Sequence, residues 1–174
     1  SQPIKGTHKR GQNALEDEQY KNDLYHSIKD RAENVMIVDL VRNDLTKHAI
    51  TGSIQVEELF GIYSFPQVHQ MVSTISAQIS EAVKVIDVIK DAFPMGSMTG
   101  APKVMAMQLI EQYEVTKRGL FSGAFGYFTP DNDFDFNVVI RSIQYNAENQ
   151  YLSIQTGGAI VYDSVPEQEL AECY

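Results

Sequence analysis

The stretch TGSIQVEELFGIYSFPQVHQMVSTISAQIS, residues 51–80, decides the fold class. It is dense in β-branched and aromatic residues, and apolar and polar positions alternate over parts of it. That pattern predicts strands. Pro66 divides it into SIQVEELFGIYSF and QVHQMVSTISAQI. On its N-terminal side, residues 14–28 carry Leu15, Tyr20, Leu24, Tyr25 and Ile28 near helical spacing. A second helix is predicted over 30–45, DRAENVMIVDLVRNDL. Its middle, VMIVDLV, is apolar almost all round, which predicts burial. On the C-terminal side, VKVIDVIKDAF (83–93) predicts a helix that stops at Pro94. The Gly-rich loop MGSMTG follows, then a helix over 101–114 with Pro102 in its first turn. GAFGYFTP, DFNVVIRSIQY and QYLSIQTGGAIVY are three further strand candidates, separated by the turns TPDND and NAEN. PEQELAEC begins a last helix. The expected class is α+β, with mainly antiparallel sheets flanked by helices.

Composition narrows the function classes. The 174 residues are 43% hydrophobic and 21% charged, with a net charge of −9. One domain is the expectation from length. An acidic chain without clustered Lys and Arg is a poor binder of phosphate backbones, so no nucleic-acid partner is expected. No run approaches the roughly 20 apolar residues of a membrane span, so no membrane role is expected. The single cysteine, Cys173, excludes an internal disulfide and fits a reducing cytoplasm. The chain lacks an initial Met, and ELAECY stops inside a beginning helix. It reads as part of a longer protein.

Several polar positions invite a chemical reading. Asp30 and Glu33 are three apart on the second helix, and Glu169 and Glu172 are three apart on the last. Each pair shares a helix face. They are either ordinary solvated faces or oxygen ligands of the sort that suits Mg²⁺. Asp39 and Arg42 interrupt the apolar helix and should pair with each other. Arg141 follows NVVI in a strand candidate, and its guanidinium matches a carboxylate, whether of the protein or of a ligand. Gly157, Gly158 and Ala159 make either a β-bulge or a backbone cradle for an anion. His69 is a strand histidine, and Ser97 lies in MGSMTGAPK. That segment is not a P-loop, because its spacing is wrong and Lys103 lies within the helix. Lys5, in PIKGT, is either a solvated charge near a terminus or a functional amine.

The order of these blocks carries more than any one of them. PIKGT, AENVMIVDLVRNDL, MGSMTGAPK, GAFGYF, NVVIRSI and GGAIVYDSVPEQELAE resemble, in sequence and spacing, the chorismate-utilising enzymes. That family includes the large subunits of anthranilate and aminodeoxychorismate synthases and the isochorismate and salicylate synthases. The resemblance covers essentially the whole chain. It implies residues 1–174 are a chorismate-binding catalytic domain whose N-terminal part is absent, with a deep site between two antiparallel sheets. It implies Mg²⁺ held by Glu33 and Glu172, with Asp30 and Glu169 in support. Asp30 stands where Glu is frequent in the family. It also implies Arg141 on the enolpyruvyl carboxylate, Ser97 on the substrate, and the backbone of Gly157, Gly158 and Ala159 on a carboxylate. His69 is implied near the departing C4 hydroxyl. Phe121 stands where some relatives have a substrate-contacting Tyr.

PIKGT resembles the aminodeoxychorismate synthase branch in particular, where most other branches carry a small residue in place of the lysine. In that branch the lysine amine attacks C2 of chorismate and the C4 hydroxyl departs. Ammonia, supplied by a glutamine amidotransferase subunit, then adds at C4 and expels the lysine. Lys5 is thus the expected nucleophile, Thr7 its neighbour oriented on substrate or amine, and His69 the expected proton donor. The alternatives are direct attack at C2, as in anthranilate or isochorismate synthases, and a non-enzymatic chorismate-binding or subunit-docking role.

Overall fold

The computed structural model describes residues 1–162 and 164–173, excluding the side chains of Gln168 and Glu172. The chain divides into two compact units, 1–113 and 114–174, and each is described by itself.

The first unit is built on a three-stranded antiparallel sheet. Strand β1 (Ile4–Lys9) and strand β2 (Gln55–Ser64) flank the central strand β3 (Val68–Ser76). The 51–80 stretch is therefore a hairpin, as its pattern predicts. Strand β1 was not legible as one: it is six residues long, holds a glycine and two lysines, and lies at an edge, where charge discourages further pairing. Helices α1 (Ala14–His26) and α2 (Ile28–Thr46) follow β1. The Asn13 side chain accepts from the Glu16 amide at 3.0 Å and starts α1. Ser27 accepts from the Asp30 amide at 3.3 Å and starts α2.

Both helices cover one face of the sheet. On β3 the buried side chains are His69, Met71, Ser73 and Ile75, with Val72 also buried. The period of two directs the first four toward the helices. Leu24 of α1, Phe60 of β2 and Met71 of β3 form the core, with Ile62 packed against it. Helix α2 contributes Asn34, Ile37, Val38 and Asp44 as buried residues. Its VMIVDLV segment is not buried all round, since Val35 and Met36 are 41% and 46% exposed. The stripe facing the sheet is the buried one, while Val35 and Met36 lie to its sides. Asp39 and Arg42 pair at 2.9 Å, as expected, but on the exposed side.

Helix α3 (Val85–Ala92), a short 3-10 turn (Gly96–Met98) and helix α4 (Lys103–Tyr113) complete the unit. Pro102 precedes α4 instead of lying in its first turn, and its carbonyl accepts from the Ala106 amide at 3.0 Å.

The second unit holds two antiparallel hairpins and a short helix. Strands β4 (Ala124–Phe128) and β5 (Phe134–Val138) form one hairpin, β6 (Ile143–Asn146) and β7 (Tyr151–Ile154) the other. Helix α5 spans Pro166–Glu172. The segment DFNVVIRSIQY is thus two strands and not one. It breaks at 139–142, where Arg141 has a left-handed φ of 51°, a conformation that L-residues seldom adopt within a strand.

Candidate active site

Within the first unit, β1 carries an irregularity between Ile4, paired with Val72, and Thr7, paired with Gln70. The extra residue places Lys5 and Gly6 in a bulge. Gly6 has φ of 98°, and a Cβ there would lie 3.0 Å from Asp30 Cβ and 3.2 Å from Met71 Cβ. Only glycine suits that conformation and that approach. The Lys5 carbonyl accepts from Asn34 Nδ2 at 3.5 Å. The bulge therefore rests on the first turns of α2, the turns that carry Asp30 and Glu33. Lys5, Asp30 and their neighbour Asn34 are brought together from positions about 25 to 30 residues apart, a separation read directly from the numbering. Lys5 and Glu33 are both half-buried, and Thr7 is exposed.

Ser97 lies in the 3-10 turn Gly96–Met98, which packs beside α2. Gly96 is buried with its Cα against the Leu40 side chain, where a Cβ would come within 2.8 Å. Leu40 is seven residues beyond Glu33, roughly 10 Å along the helix axis. The Gly-rich loop is fixed by Lys103, whose amine donates to Asp44 Oδ1 at 2.7 Å and to the Ala92 carbonyl at 3.1 Å. Asp44 is buried. Lys103 is thereby a clamp joining α2, α3 and α4.

His69 has neighbours that its strand position does not reveal. The ring is fully buried. Its Nε2 lies 2.8 Å from Asp17 Oδ1 of α1, and its Nδ1 lies 2.9 Å from the Ser64 hydroxyl. Asp17 also receives two bonds from the Arg10 guanidinium, at 2.8 and 2.7 Å, and one from the Gly11 amide at 2.8 Å. Arg10, then the Gly11 amide, hold the Asp17 carboxyl well below the usual carboxylate range. This network pins the end of β1 to α1 and to the β2–β3 hairpin. Residues paired across an antiparallel ladder share a face. His69 therefore sits with His8, whose ring stacks 4.4 Å from Tyr20 of α1. The β3 side chain on the face of Thr7 is Gln70.

In the second unit Arg141 is exposed and lies in the break between β5 and β6. Gly157, Gly158 and Ala159 are exposed and lie beyond the end of β7, outside any strand. A Cβ at Gly158 would stand 3.0 Å from Glu169 Oε2. The other carboxylate oxygen, Oε1, accepts from the Ser164 hydroxyl at 2.7 Å, and that hydroxyl accepts from the Val161 amide at 3.0 Å. The expected anion cradle and an expected metal-supporting carboxylate thus meet in this unit. The Glu172 side chain lies outside the described residues. Among the described residues no three His, Cys, Asp or Glu side chains gather into a metal cluster.

Sequence reasoning missed Asn34, Ser73, Asp17, Gln70 and Ser164. For Gln70 a partial signal existed: the period of two along the predicted strand puts it on the face opposite His69. For Asp17 none did, because it is 52 residues from His69.

The model of the chorismate binding enzyme family matches residues 1–174, and the chain belongs to that family. It is 44% identical over 174 residues to aminodeoxychorismate synthase component 1 of Escherichia coli, covering all of this chain and 38% of that protein. It is 41% identical over 172 residues to anthranilate synthase component 1 of Aquifex aeolicus, covering 99% of this chain and 34% of that protein. Among solved structures it is similar to anthranilate synthase component I of Streptococcus pneumoniae, with a TM-score of 0.80 and 31% identity, over 99% of this chain and 37% of the other. The chain spans somewhat more than a third of the length of these relatives. The α+β class with antiparallel sheets is the family's.

Proposed function

We propose that the protein carrying this chain converts chorismate to 4-amino-4-deoxychorismate, the step that precedes 4-aminobenzoate, with ammonia delivered by a glutamine amidotransferase subunit. The supporting observation is the bulge that sets Gly6 against Asp30 and the Lys5 carbonyl against Asn34 of α2. In the reaction, the Lys5 amine forms a bond to C2 of chorismate. The two ring double bonds shift and the C4–O bond breaks. The proton released by the amine balances the one the hydroxyl takes up as it leaves as water. Ammonia then bonds to C4, the double bonds shift back, the C2–N bond breaks and Lys5 regains its proton. Thr7 and Gln70, which share one face of the sheet, would hydrogen-bond substrate. His69 serves through Asp17 and Ser64 by holding β1 in register, a role its buried ring favours over proton donation.

Glu33 and Glu172 would hold Mg²⁺, with Asp30 and Glu169 in support. An all-oxygen carboxylate set fits that ion, and Glu169 is already oriented by Ser164. When bound, the ion neutralises a substrate carboxylate that this acidic protein would otherwise repel. Arg141 and the Gly157–Gly158–Ala159 backbone would take the remaining carboxylate charge, and Ser97 would contact the substrate. No helix among the described residues is long and apolar enough to cross a membrane, and the proposed site of action is the cytoplasm.

A second reading is anthranilate synthesis, favoured by the similarity to the Aquifex aeolicus protein. Incubating the full-length protein with chorismate, ammonia and Mg²⁺ and identifying the product separates the two. Nitrogen at C4 supports the proposal, and anthranilate overturns it.

A further inference from the structure

The strongest unassigned feature is a line of buried polar groups that ends on the Lys5 backbone. The Phe60 amide of β2 donates to Ser73 Oγ at 3.1 Å, and the Ser73 hydroxyl donates to Asn34 Oδ1 at 2.6 Å. Asn34 Nδ2 then donates to the Lys5 carbonyl at 3.5 Å. Asn34 and Ser73 are both fully buried. Phe60 has a left-handed φ of 62°, within an irregular part of the β2–β3 ladder. Its amide turns to Ser73 in place of a strand carbonyl.

The direction of this chain is forced. A serine hydroxyl has one proton. The Lys5 carbonyl can only accept, so the Asn34 group facing β1 is Nδ2. Oδ1 then faces Ser73 and accepts its one proton, while Ser73 Oγ accepts from the Phe60 amide. The Lys5 carbonyl sits in a bulge, where ladder bonding is disrupted. All three strands and α2 thus converge on one carbonyl. Its bond is the longest of the three, so its contribution is to orientation more than to strength. In a dry interior such a fully satisfied chain fixes one arrangement.

We propose that Asn34 is the positioning residue of the Lys5 nucleophile, and that Ser73 sets the orientation of Asn34. This rests on the proposed function above. A lysine amine hangs on four rotatable bonds, so its reach to a substrate carbon depends on where its backbone is held. A misplacement of about 1 Å can cost on the order of 100-fold in rate.

The test uses the full-length protein with chorismate, ammonia and Mg²⁺. Asn34→Asp keeps the shape and the Ser73 acceptor but replaces the donor that faces the Lys5 carbonyl. Its kcat should fall about 10- to 100-fold, with KM for chorismate within about twofold and the rate of acylation of Lys5 by a lysine reagent altered in peptide maps. Ser73→Ala should show the same kcat-selective loss at a smaller size, because Asn34 is then free to turn. Unchanged kcat in folded Asn34→Asp overturns the inference. So does failure of both variants to fold, which would make the chain structural only. If Lys5→Ala keeps full activity, the nucleophile reading fails instead, whatever the Asn34 variants do.

Discussion

The two units hold their candidate residues by different means. In the first, the Lys5 backbone is set by the buried Asn34, Ser73 and Phe60 groups of three other elements, and the end of β1 by the Arg10–Asp17–His69–Ser64 network. In the second, Arg141 lies exposed between the two hairpins and the Gly157–Ala159 segment lies exposed beyond β7, and the contact at Glu169 is local, from Ser164 five residues away. A site held by long-range packing tolerates few changes in its support. A site held by local bonds loses function without losing the fold.

The largest effect should come at the nucleophile. Lys5→Ala should remove 4-amino-4-deoxychorismate formation by about 100-fold or more, or divert nitrogen to C2, read by product mass and fluorescence, while the unfolding midpoint stays close to wild type. Support in the first unit comes next. Lys103→Met leaves Asp44 buried without its cation and should cost about 3 kcal/mol of stability, measured as a lower urea midpoint. Arg42→Ala breaks an exposed pair and should cost no more than about 0.5 kcal/mol. If the two were equal, the buried clamp would have no special place.

In the second unit, Ser164→Ala should weaken the Mg²⁺ dependence of activity about tenfold with little change in the melting temperature. A large loss of stability there would erase the contrast between the units. The smallest effect is one of pH. The Asp17 carboxyl titrates lower in the fold than in the unfolded chain. It therefore stabilises fully above about pH 4 and loses that contribution as pH falls further. Asp17→Asn should flatten the decline of the unfolding midpoint below pH 4.

The same contrast explains what the sequence made legible. The 51–80 hairpin and both early helices follow from residue type and apolar spacing, which are local, while the caps at Asn13 and Ser27 that start the helices emerged only in the structure. Strand β1 was hidden because its partner is some 65 residues away in the numbering and its own composition is that of a loop. The break at Arg141 was hidden because Val138, Val139, Ile140 and Ile143 read as one strand, and β-branched residues on both sides do not announce a left-handed residue between them. His69 was visible as a histidine, but its face was set by pairing with His8 and by Asp17. Gln70, a bland residue by type, took the place beside Thr7.

The most direct test is the mass of the Lys5 peptide after the full-length protein is mixed with chorismate and Mg²⁺ without ammonia and quenched. A gain equal to chorismate less one water, on Lys5 and discharged when ammonia is added, is the predicted result. An unmodified Lys5 in a protein that still makes 4-amino-4-deoxychorismate would contradict the account.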